Sequence, residues 1–106
     1  MAKSVLIVVT NCKDPAREAD FNHWYTDIHL ADMAKIPGFG AATRYELKGS
    51  LGADSSGQGK YLALYEIEGD PKEAVGALQK ALPDLAAAGR MFDAIDVVYS
   101  GAYSPL

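Results

Sequence analysis

The segment YLALYEIEGDPKEAVGALQKAL, residues 61–82, decides the class of fold. Its first seven residues, Tyr61 to Ile67, read as a β-strand. Asp70-Pro71-Lys72-Glu73 then combines a capping side chain, a proline at the first helical position and an acidic residue at N3. Val75, Leu78, Leu82 and Leu85 follow at helical spacing, which predicts an amphipathic helix packed on the strand. Pro83 should break or kink that helix near Leu82, because a ring in a helix interior removes one hydrogen bond and clashes with the preceding turn, at about 3 kcal/mol. A short second piece then runs on to Gly89.

Working outward, Gly49 to Gly59 is rich in Gly and Ser, lacks periodicity, and reads as the mobile tip of a long-looped hairpin. The partner strand is Phe39 to Leu47, with Thr43, Tyr45 and Leu47 on one side and Arg44 and Glu46 on the other. Pro37-Gly38 stops an earlier helix that opens at Asp14-Pro15 and continues through the charged turn Arg17-Glu18-Ala19-Asp20. Val5 to Val9 is short, apolar and continuous, the pattern of a strand covered on both faces, and Ile95 to Tyr99 supplies the last strand before a tail with Gly101, Ala102 and Tyr103. The order β-α-β-β-α-β is a split βαβ, an α+β fold with two helices on one face of a four-stranded antiparallel sheet. The other face also carries apolar residues and needs a cover, which a second subunit packed sheet to sheet supplies.

Length and composition narrow the function. A chain of 106 residues makes one domain, able to bury roughly 60–70% of its unfolded surface, and so gains from a partner subunit. With 49% hydrophobic and 23% charged residues it is an ordinary globule. Ten basic against fourteen acidic residues give a net charge of −4, which removes the attraction to phosphate backbones and anionic lipid, so neither nucleic acid nor membrane is expected as partner. The single cysteine, Cys12, has no second thiol to pair with and no histidine spacing that completes a zinc site; no metal is expected, and a reducing cytoplasm fits. Val5 to Val9 is too short for a signal or a membrane span. No glycine-rich nucleotide fingerprint, phosphate loop or Gly-x-Ser-x-Gly occurs, which argues against nucleotide cofactors and serine-hydrolase chemistry.

Chemistry concentrates in the first helix. At about 100° per residue, Phe21, Trp24, Tyr25, Ile28 and Ile36 share a broad face, with Asp32 near its middle and His29 near its edge. His23 falls on the opposite, solvated side with Asp27 and Leu30. A carboxylate on a buried face must be paired, and the imidazole three residues earlier is within reach. On one reading Asp32 orients His29 and raises its proton affinity, making a general base or acid at the mouth of a helix–sheet cavity. On the other, Asp32 caps the helix end before Pro37 and His29 fills the core edge. Trp24 and Tyr25 read first as core and second as cavity walls, and Tyr65 is the strand phenol chosen to reach a pocket. Arg44 holds a carboxylate or phenolate, or pairs with a neighbouring-strand Glu such as Glu66. Cys12 has no nearby histidine or aspartate to activate it as a nucleophile.

The run Phe21-Asn22-His23-Trp24-Tyr25-Thr26-Asp27-Ile28-His29-Leu30-Ala31-Asp32, followed by Ile36-Pro37-Gly38-Phe39 and Arg44-Tyr45, resembles the EthD-like branch of the dimeric α/β-barrel superfamily. Its pattern is Trp-Tyr, three residues, His-x-Pro-Asp, and a Pro-Gly-Phe entry to the second strand; Ala31 stands where proline is common. The resemblance implies a ferredoxin-like monomer, a homodimer closing a barrel between two sheets, and a cavity between helices and sheet in each subunit. It also implies cofactor-free cyclase, dehydratase, isomerase or monooxygenase chemistry on aromatic, polyketide or lactone molecules. His29 and Asp32 match the family's His and Asp positions. The expectation is therefore a cofactor-independent lyase, isomerase or cyclase in which His29, supported by Asp32, moves a proton on a small molecule held against Trp24, Tyr25, Tyr65 and Arg44. The alternatives are a non-catalytic dimeric binding module and a cofactor-free monooxygenase using Trp24 and Asn22.

Overall fold

The strict alternation of burial along Tyr61–Ile67 sets the architecture: Tyr61, Ala63, Tyr65 and Ile67 are enclosed while Leu62, Leu64 and Glu66 between them are not. A computed structural model describes residues 3–51 and 59–106, so most of the hairpin tip expected between Gly49 and Gly59 lies outside the described residues. The strands are β1 (Ser4–Cys12), β2 (Phe39–Glu46), β3 (Tyr61–Ile67) and β4 (Ile95–Tyr103). They form one antiparallel sheet in the order β2-β3-β1-β4, with Leu6 opposite both Tyr65 and Ala102. Two helices complete the ferredoxin-like βαββαβ order. The first, α1, runs through a 3-10 turn (Pro15–Arg17), an α-helical stretch (Glu18–Trp24), a π-helical turn (Tyr25–His29) and a last α-helical turn (Leu30–Ala34); the second, α2, is Pro71–Ala87.

Both helices start as their sequences dictate. The Asp14 carboxylate accepts the Ala16 N–H at 3.0 Å and the Asp70 carboxylate accepts the Lys72 N–H at 2.9 Å, each with proline next in the chain. Two expectations are corrected. Pro83 does not break α2: it lies on the exposed flank, and the helix runs through it to Ala87. The expected tail is strand: β4 continues past Tyr99, with Gly101 opposite Ile7 and Tyr103 opposite Val5, after a bulge opposite the Val9–Thr10 step.

The core lies between α1 and the sheet. Phe21, fully enclosed, stands edge-on to Tyr25 and Phe92 with ring centroids 5.7 and 5.6 Å away. Helix α2 is held differently, with Ala74 its one buried residue. There the chain comes close to β2: Gly38, at φ +98°, leaves only 2.9 Å between a notional Cβ and the Cβ of Ala74. Further along α2, Val75, Leu78 and Leu82 are half-buried, because a hollow separates them from the sheet. The opposite sheet face has no helix over it. Val5, Ile7, Val9, Leu62 and Leu64 are half-buried there, flanked by exposed Tyr45, Tyr99 and Tyr103.

The Gly38 contact has a measurable consequence. Gly38→Ala combines a disfavoured positive φ with a steric overlap and should cost about 1–3 kcal/mol. Gly76→Ala, in the α2 interior with open space around a new methyl group, should gain about 0.5–1 kcal/mol. Thermal denaturation should therefore move in opposite directions for the two variants, by roughly 4–8 °C per kcal/mol.

Candidate functional site

A cavity of about 490 Å³ opens between α1, α2 and the β1–β4 half of the sheet. Leu6 and Val8 form its floor, Val75, Leu78 and Leu82 its α2 wall, and Met33 and Met91 its ends. Against this apolar lining stand the polar groups of Tyr25, His29, Tyr65, Gln79 and Ser100. The composition suits an apolar molecule with a few oxygen atoms.

The π-helical turn places the imidazole. Its hydrogen bond from the Leu30 N–H to the Tyr25 carbonyl spans five residues instead of four, so side chains five apart come to one side. Trp24 and His29 consequently stack, with centroids 4.7 Å apart and planes 22° from parallel, while Tyr25 meets the same imidazole edge-on at 5.1 Å. Regular α-helical spacing places His29 at the edge of the buried face; in the structure it is only 6% exposed. Its Nδ1 atom is enclosed without a hydrogen-bond partner. Burial pushes the His29 pKa down to about 4, with the Asp32 charge opposing only in part, so the ring is neutral at neutral pH.

Asp32 is buried as well, but it is not the partner of His29. Arg90, just beyond α2, donates to both carboxylate oxygens, from Nε at 2.7 Å and from Nη2 at 3.0 Å. These hydrogen bonds hold the Asp32 carboxyl below its ordinary range. The expected orienting contact from Asp32 to His29 is corrected, because the guanidinium takes both carboxylate oxygens; the Asp32 charge does raise the proton affinity of His29, but desolvation outweighs it. The expected cap before Pro37 is likewise replaced by this ion pair. The backbone carbonyl of Arg90 also accepts the Trp24 indole N–H at 2.7 Å.

Tyr65 and Tyr25 meet at the cavity wall, the Tyr65 hydroxyl donating to the Tyr25 oxygen at 3.3 Å. Burial raises both phenol pKa values, so both stay protonated. Arg44 lies behind them. Its guanidinium is 4.4 Å from the Tyr25 ring centroid and 5.2 Å from that of Tyr61, and it donates to Asn22 Oδ1 at 3.0 Å and Thr26 Oγ1 at 3.1 Å. The expected pairing of Arg44 with Glu66 is corrected by the pleat. Arg44 stands opposite Ala63 on the helix side, whereas Glu66 points to the other face, where Lys3 reaches it at 3.4 Å.

Of the six residues singled out from the sequence, Tyr25, His29 and Tyr65 line the cavity, while Trp24, Asp32 and Arg44 form the layer behind them. His23 is on the solvent side, 2.8 Å from Asp27, and the Cys12 thiol donates to the Asp14 carbonyl. Among the described residues no cluster of His, Cys, Asp and Glu could hold a metal ion. Sequence reasoning missed Gln79, Ser100 and Arg90. Gln79 had a signal, since it interrupts the α2 stripe four residues after Val75 and three before Leu82. Arg90 had none, its partner being 58 residues away.

Comparison with protein-family models finds no match, and comparison with curated proteins finds none either. Solved structures do match over nearly the whole chain. HapK from Hahella chejuensis is 19% identical, with a TM-score of 0.66 over 97% of this chain and 92% of its own. SnoaB, a cofactor-independent oxygenase from Streptomyces nogalater, is 17% identical, with a TM-score of 0.57 over 99% and 95%. An EthD-family protein from Bacillus halodurans is 15% identical, with a TM-score of 0.55 over 99% and 100%. The chain shares the ferredoxin-like fold of these proteins. In this frame His29 and Asp32 share one buried helix end, yet only the histidine faces the cavity.

The depressed His29 pKa gives the domain a pH signature. Between about pH 4 and 6.5 the unfolded chain binds a proton at this position that the folded chain refuses, so stability rises with pH across that window. The contribution is complete above pH 6.5, lost on acidification towards pH 4, and amounts to roughly 3 kcal/mol. Asp32, whose pKa is lowered from 3.8, adds acid lability only below that value. Urea unfolding at pH 7 and pH 4.5 should show the loss in the wild-type chain and a much smaller one in His29→Leu.

Proposed function

We propose that this chain is a small cofactor-independent enzyme that moves a proton on an apolar, oxygen-bearing small molecule, in a lyase, isomerase or cyclase step. The observation that carries the reading is the meeting of a neutral imidazole and a phenol pair in one otherwise apolar cavity of about 490 Å³. A neutral His29 can accept a proton from a carbon or oxygen acid. Because Tyr65 donates to Tyr25, the Tyr25 proton remains free for an oxygen of the ligand, where it would stabilise charge as the proton leaves. The apolar walls keep the dielectric low, which strengthens both interactions. SnoaB, described as a cofactor-independent oxygenase, supports cofactor-free chemistry as an analogy of fold. An oxygenase that works through Trp24 and Asn22 is less well supported. The Trp24 indole N–H is taken by the Arg90 carbonyl, and the Asn22 amide lies between Tyr61 and Arg44, outside the cavity.

The same reading includes a homodimer. The uncovered sheet face, with Ile7 and Leu64 near its centre and Tyr45, Tyr99 and Tyr103 around it, is broad and apolar enough to call for a second copy. A cytoplasmic setting keeps the Cys12 thiol reduced. No helix among the described residues is long and apolar enough to cross a membrane.

Binding and turnover separate the readings. Titration with naphthols, hydroxyquinones and aryl lactones should perturb Trp24 fluorescence, and Leu78→Phe, which narrows the cavity without adding a second indole, should weaken the response. For a compound that is converted, His29→Ala should lower turnover at least about a hundredfold with the fold intact. Binding without conversion of any such compound would leave a non-catalytic binding module. In analytical ultracentrifugation Leu64→Glu should shift a wild-type dimer to monomer.

A further inference from the structure

We propose that Arg90 is the positioning residue of this site: its side chain draws both carboxylate oxygens of Asp32 away from His29, while its backbone carbonyl fixes the indole on which His29 stacks. The inference rests on His29 as the proton-handling group of the cavity. Asp32 follows His29 by one helical turn and is equally enclosed, so without another partner its carboxylate would turn to the imidazole. It does not, because the guanidinium engages it at 2.7 and 3.0 Å, and the enclosed Nδ1 of His29 is left without a partner. Gly89, at φ +73°, turns the chain at the end of α2 so that Arg90 points back towards α1. The next residue, Met91, lines the cavity. One residue therefore holds both the Asp32 carboxylate and the Trp24 indole.

The groups facing His29 make the outcome specific. Along α1 they are Trp24, Tyr25 and Asp32, and Lys35 acts on Asp32. From β3 comes the Tyr65 phenol; α2 and β4 offer Gln79 and Ser100 as polar cavity groups, and neither titrates. Among the described residues Asp32 is thus the anion that acts on the ring.

Histidine NMR titration tests this. The wild-type His29 midpoint is expected near 4. In Arg90→Gln the released carboxylate should raise it by more than about one pH unit. Adding Asp32→Asn to Arg90→Gln should bring it back. An unmoved midpoint in folded Arg90→Gln, or a double variant as elevated as the single one, would overturn the proposal. Should Arg90→Gln not fold, Arg90→Lys carries the same test, because it keeps the charge and gives up the two-pronged contact; a rise is expected and an unmoved midpoint overturns it. The titration needs no substrate, so Arg90 can fail here with the catalytic reading intact, and the reverse also holds.

Discussion

A carboxylate shut away from water must have a partner, and the way Asp32 meets this requirement organises the molecule. Its partner comes from beyond the end of the second helix, so satisfying one charge ties the C-terminal ends of α1 and α2 together. The N-terminal end of α2 is anchored separately, where Ala74 packs against Gly38. Between the two fixed points Ala77, Leu78 and Ala81 still pack against the core, while Val75, Leu78 and Leu82 also border a hollow. The cavity therefore lies under the stretch of helix between its two fastened ends.

The chemistry of the hollow follows from the same fastening. A histidine coupled directly to a carboxylate gains proton affinity; one whose carboxylate is engaged elsewhere keeps the full penalty of desolvation. His29 belongs to the second kind, which leaves its lone pair available at neutral pH. The phenols opposite stay protonated for a related reason, since burial disfavours their anions, and the Arg44 cation over the Tyr25 ring offsets this only in part. Base and donors thus coexist in one lining without neutralising each other.

The fold was legible because strand and helix periods are written in local spacing. The strand from Tyr61 to Ile67 and the capped start at Asp70-Pro71 both appear as read. What escaped was of two kinds. Pro83 and the continuation of β4 beyond Tyr99 depended on whether a flank is wet and a backbone edge paired, which neighbouring letters do not state. The site escaped in part because its deciding contact joins residues far apart in the chain, and because the spacing from Phe21 to Ile36 was interpreted with a uniform turn. His29, Tyr25 and Tyr65 could be chosen from residue type and element; the second layer behind them could be named but not assigned its contacts.

That non-uniform turn carries a consequence of its own. The span from Tyr25 to His29 holds one residue more than regular winding would place there, so the helix is out of step with itself on either side of the insertion. Excising a single residue there would let the winding run smoothly and leave the turns on either side in place, whereas regular winding with that residue kept would swing everything after it round by about 100°. The imidazole would leave its indole and the acidic side chain would leave its guanidinium. What looks like a flaw in the helix is the offset that lets two incompatible sets of neighbours be served by one continuous rod.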